Sequence, residues 1–62
     1  MKKFKVHAAN FNADTFRNNY QKYIIDEYDA CFEDTIFELN APQEIYDEIS
    51  GLEEESITIL KN

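Results

Sequence analysis

Three observations predict an α+β fold for this 62-residue chain. Its start alternates apolar and polar residues, its end is rich in β-branched residues, and a helically spaced apolar stripe lies between its only Pro and only Gly. The expected order is β-α-β-α-β, a small three-stranded sheet covered on one face by two helices. Residues 1–62 form one domain with room for one small core, since a domain of this size buries only about 60% of the surface its unfolded chain exposes. Five Phe and four Tyr supply the bulky groups for that core.

The first strand spans residues 3–8, where Phe4, Val6 and Ala8 share one face and Lys3, Lys5 and His7 the other. Asn12 or Asp14 then caps a first helix, in which Phe16, Tyr20, Tyr23 and Ile24 follow helical spacing. Asp26 and Glu27 oppose the dipole at a helix C-terminus, so this helix should end near residue 25. Residues 26–30 are expected to turn, and 31–39 to form the middle strand on the composition of Thr35-Ile36-Phe37-Glu38-Leu39. Tyr28, Phe32, Ile36 and Leu39 also keep helical spacing, which leaves a mostly helical middle with short terminal strands as the alternative. A second helix over 41–50 follows from Asn40 as N-cap, Pro42 in the first turn, the stripe Ile45, Ile49, Leu52, and Gly51 as the stop. Residues 56–60, Ser-Ile-Thr-Ile-Leu, form the last strand.

Charge is distributed unevenly. Five Lys and Arg stand against Asp14 in residues 1–22, whereas residues 23–60 hold twelve carboxylates and no Lys or Arg, within a net charge of −7. Such a field repels nucleic acid and anionic membranes and attracts basic surfaces, so neither direct nucleic-acid binding nor membrane association is expected. A lone cysteine, Cys31, and a start without the apolar run of a secretion signal point to a reducing, cytoplasmic setting.

No residue pattern names a reaction, and the expectation is a protein that is not an enzyme and uses no cofactor. A calcium loop needs regularly spaced oxygen ligands and a Gly at its sharp turn, whereas Asp26-Glu27-Tyr28-Asp29-Ala30-Cys31-Phe32-Glu33-Asp34 has no Gly and interrupts its acids. Zinc calls for several His or Cys ligands, and the chain has one of each, so no metal site is expected. His7 reads as a solvated surface histidine. Cys31, set among acids that do not lower a thiol pKa, reads as a packed core thiol.

The acids fall into three expected rows: Asp26, Glu27, Asp29, Glu33 and Asp34; Glu44, Asp47 and Glu48; and Glu53, Glu54 and Glu55. Alternate strand residues lie about 6.6 Å apart, and i, i+4 helix residues about 5–6 Å, intervals similar to those of a phosphate backbone. Glu44 facing Glu48 forgoes a salt bridge at a cost of a few tenths of a kcal/mol. Tolerating that cost suggests the charge has a use. Tyr28 and Tyr46, set among the acids, are the candidate apolar anchors for a partner, with Tyr20 and Tyr23 assigned to the core.

In size, acidity and lack of catalytic motifs the chain looks like the small inhibitors that phages and mobile elements make against host nucleases, the anti-CRISPR and anti-restriction proteins that mimic DNA. That resemblance implies a non-catalytic inhibitor occupying the basic nucleic-acid groove of a CRISPR effector, restriction enzyme or similar nuclease. Two other readings suit the same acids: an antitoxin-like neutraliser of a basic toxin, and a small structural subunit that assembles with itself or a larger partner.

Overall fold

The computed structural model describes residues 1–53 and 56–60. Four antiparallel strands, β1 (Lys2–Ala8), β2 (Ile24–Asp29), β3 (Thr35–Ala41) and β4 (Ile57–Leu60), form one sheet in the order β2-β3-β1-β4. Helices α1 (Asn10–Tyr20) and α2 (Gln43–Gly51) connect β1 to β2 and β3 to β4. This β-α-β-β-α-β order, with β3 slotted between β1 and β2, is the split-βαβ arrangement of ferredoxin-like folds. The α+β class and the two helices on one face agree with expectation. The strand count does not, and the helical middle is excluded.

The fourth strand is β2, part of which was expected to turn. Its sequence, Ile-Ile-Asp-Glu-Tyr-Asp, carries three carboxylates, a composition depleted in strands. It becomes a strand at the sheet edge because β3 supplies the ladder: Asp26 pairs with Glu38, Glu27 with Phe37, Tyr28 with Ile36 and Asp29 with Thr35. Between Ile24 and Asp26 the register shifts by a bulge that leaves Ile25 extra and 54% exposed.

Helix and strand limits shift for related reasons. α1 starts at Asn10, ahead of Asn12 and Asp14, and stops at Tyr20; a 3-10 turn, Gln21–Tyr23, precedes β2, so Ile24 belongs to a strand. Residues 31–34 are not strand, since Cys31–Glu33 form a 3-10 turn. At its other end β3 runs on to Ala41, because Asn40 pairs with Lys3 and Ala41 with Lys2. Asn40 is therefore unavailable as a cap, and the N-cap of α2 is Pro42, whose carbonyl accepts from the amides of Ile45 and Tyr46. Gly51 ends α2 without a left-handed φ.

One face of the sheet carries the core. Phe4, Val6 and Ala8 of β1, Phe37, Leu39 and Ala41 of β3, and Ile57 and Ile59 of β4 meet Ala13, Phe16 and Tyr20 of α1 and Ile49 of α2. Phe16 stacks on Phe37 with centroids 5.0 Å apart and touches Tyr20 at 4.8 Å. Tyr46 packs edge-on against Phe4 at 4.9 Å with the Lys2 ammonium over its ring, so it is a core-margin residue rather than a free anchor. No helix is long and apolar enough to cross a membrane among the described residues.

Candidate interaction surface

Among the described residues, the β2–β3 connection has the least ordinary backbone. Phe32 (φ 59°) and Glu33 (φ 66°) are consecutive left-handed residues, and neither is Gly. Each such residue costs about 1–2 kcal/mol relative to right-handed geometry, so other contacts must hold the turn. The Ala30 amide donates to the Asp34 carbonyl at 2.9 Å, and the Asp34 amide to the Cys31 carbonyl at 3.2 Å. Asp34 then bolts the turn to the rest of the fold. Its Oδ1 accepts from the Asn10 amide at 2.9 Å and its Oδ2 meets His7 Nε2 at 3.0 Å.

The Asn10 amide belongs to the first turn of α1, whose donors lack intrahelical partners, and Ala9 at the N-cap brings no side-chain oxygen. A carboxylate 24 residues downstream supplies it instead. His7 is thus half-buried and partnered rather than freely solvated.

Held this way, the turn presents Phe32 with 93% of its surface exposed. Phe11, the second residue of α1, is 78% exposed and sits next to the Asn10 that Asp34 binds, so the clasp ties both rings to the same end of the sheet. Cys31 is exposed too, which overturns its assignment to the core: the turn points it outward with Phe32. Asp29 and Glu33, both exposed, flank these groups.

The five acids expected in one row do not share a face. Strand alternation sends Asp26 and Tyr28 to the sheet face without helices and Glu27 and Asp29 to the opposite one. Glu27 is neutralised locally: Arg17 of α1 donates from Nε to both its oxygens at 3.1 Å and from Nη2 to Oε1 at 2.9 Å. Arg17 also reaches Asp14 at 2.6 Å and lies over the Phe37 ring, closing the β2 side of the core. Bonds to Glu27 and then Asp14 push the guanidinium pKa upward.

Elsewhere, Tyr28 is 41% exposed; its hydroxyl donates to Glu38 at 2.7 Å, and Lys5 lies over its ring. The Glu38 bond first, then partial burial and Asp26, raise the Tyr28 pKa to about 12. Glu38 was absent from the expected rows, although its place on β3 opposite Lys5 follows once the register is known.

On α2, Glu44, Asp47 and Glu48 are all exposed and make no ion pair among the described residues. Asp47 accepts from Gln43 at 2.9 Å and Glu48 from the Tyr20 hydroxyl at 2.7 Å. Burial of Tyr20, followed by that bond, raises its pKa to about 12. Glu53 is exposed, while Glu54 and Glu55 lie outside the described residues.

A shallow depression of about 220 Å³ beside α1, lined by Asn12, Phe16, Tyr20 and Leu52 among others, falls below the usual range for ligand pockets. Among the described residues no group of three or more His, Cys, Asp or Glu is disposed to hold a metal ion.

The sequence missed Phe32 and Phe11 as exposed aromatics. Phe32 was hidden by a helical spacing with Tyr28 and Ile36 that also fits a buried role, whereas Phe11 lies off the Phe16–Tyr20 stripe, a signal that could have marked it as exposed. No protein family, curated protein or solved structure matches this chain.

Proposed function

We propose that the chain is a non-catalytic binding protein that docks its β2–β3 hairpin end onto the basic, nucleic-acid-binding surface of a larger protein, a nuclease or CRISPR effector being the fitting class of target. The supporting observation is Phe32, an almost fully exposed aromatic held on a strained turn between acidic residues. Left-handed residues suit a tight antiparallel connection, but filling both positions with non-glycine side chains keeps strain in the turn, a common mark of function. A rigid aromatic ringed by polar groups also has the make-up of an interface hot spot.

Carboxylates draw in a basic surface and quicken encounter, while the aromatic sets register and affinity. Glu27 and Asp34 are committed to Arg17, His7 and Asn10, so the charge offered here comes from Asp29 and Glu33, with Asp26 on the adjoining face. This is a compact acidic plug rather than a long backbone-like row.

The test compares the immobilised wild-type chain with Phe32→Ala and with Asp29→Lys/Glu33→Lys in capture from a host lysate, followed by elution with duplex DNA and with rising salt. The expected result is a nucleic-acid-binding protein that DNA displaces, that salt releases steeply, and that both variants fail to hold. Equal capture by Phe32→Ala, or capture that DNA does not compete, overturns the proposal. Loss in the charge-reversed variant without DNA competition turns the reading towards a neutraliser of some other basic protein.

A further inference from the structure

The helices leave one sheet face uncovered. On it Asp26 and Glu38 stand on the β2–β3 half and Lys3 and Lys5 on β1, with His7 bonded to Asp34 at one end, so carboxylates and basic groups nearly match in number among the described residues of a chain whose net charge is −7. Tyr28, Ile36 and Leu60 supply apolar surface on the same face. Near-balanced charge makes this a region where a second copy of so acidic a protein is least repelled, and the lysines stand on β1 while Asp26 and Glu38 stand on β2 and β3.

We propose that this face is a contact between two copies of the chain, packed sheet on sheet about a two-fold axis running along the strands between β1 and β3. That axis lays β3 of each copy over β1 of the other. Glu38 then faces Lys5 of the second copy, and Lys5 faces the second Glu38, the reciprocal pattern an isologous interface requires. An axis across the strands would set like charges together. Four strands at about 4.8 Å spacing and roughly 20 Å length offer on the order of 400 Å² per copy, half the standard interface. An interface of that size places the dimer among weak, transient associations.

Sedimentation equilibrium over a concentration series tests this, with circular dichroism melts confirming that each variant folds. Lys5→Glu and Glu38→Lys are each expected to weaken the dimer about tenfold or more. Mixed together, the two variants are expected to form a heterodimer, because the two lysines at positions 5 and 38 of one then meet two glutamates at the same positions of the other. A folding defect cannot produce that recovery. A wild-type chain that stays monomeric throughout, single reversals without effect, or a mixture that fails to associate each overturns the proposal. So does a single-stranded oligonucleotide that binds the wild type and is lost on Lys3→Ala/Lys5→Ala, which would assign the face to nucleic acid.

Discussion

Two acidic regions of similar composition behave differently. In β2 and the turn after it, Glu27 and Asp34 are held by groups far away in sequence, Arg17 on α1 and the His7 and Asn10 pair flanking Ala8 and Ala9. On α2, Glu44, Asp47 and Glu48 meet no cation among the described residues. The first region uses part of its charge to build the fold, and the second exposes all three of its acids to solvent. A count of carboxylates therefore overstates the field of one region and understates its structural role.

The sharpest way to break this comparison is Asp34→Ala. It removes an acceptor from the first turn of α1 and the partner of His7, and is expected to cost about 2 kcal/mol by urea unfolding, whereas Asp29→Ala should fall within about 0.5 kcal/mol of wild type. Equal effects would mean that Asp34 is no more structural than its neighbour.

Tyrosine ionisation separates the regions again. Tyr20 and Tyr28 are both raised to about 12, the first mainly by burial and the second mainly by Glu38. Glu38→Ala should therefore return Tyr28 much of the way towards 10, while Glu48→Ala leaves Tyr20 high, as read by absorbance during alkaline titration. Because the folded values lie above the unfolded value of about 10, the stabilisation from these neutral phenols is complete below pH 10 and is lost as pH rises through about 12.

Smaller effects sharpen the contrast. Glu33→Gly relieves one left-handed residue and is expected to stabilise the chain by about 0.5–1 kcal/mol, after allowing for the entropy glycine loses on folding. Unchanged or lower stability would remove strain from the account of the turn. Asp47→Lys exchanges the Gln43 bond for attraction to Glu44 and relief of like-charge crowding, with an expected gain of about 0.3 kcal/mol. That corresponds to about 2 °C in a thermal melt.

Much of the fold was legible because local pattern and tertiary demand agree. Phe4, Val6 and Ala8 alternate as a half-buried strand must, Phe16 and Tyr20 recur on one helix face, and Ile57 and Ile59 repeat the alternation at the other end. β2 was illegible because its acids disfavour a strand until β3 offers a ladder. Asn40 misled for a similar reason: its side chain suits a cap, yet pairing with Lys3 holds it in the sheet. At the candidate surface, Asp29 and Glu33, two of the acids the sequence singles out, are exposed. The outward turn that carries Cys31 and Phe32 depends on a bond from Asp34 to a helix 24 residues earlier.

By itself, the sequence determined that the chain is α+β, where its terminal strands and second helix lie, and that its excess negative charge sits beyond residue 22. Those properties follow from composition and periodicity, which act over a few residues. Tertiary structure decided which acids remain free and which aromatics face outward. Both depend on strand register and on partners such as Arg17 and His7, which meet the acids only when distant segments fold together.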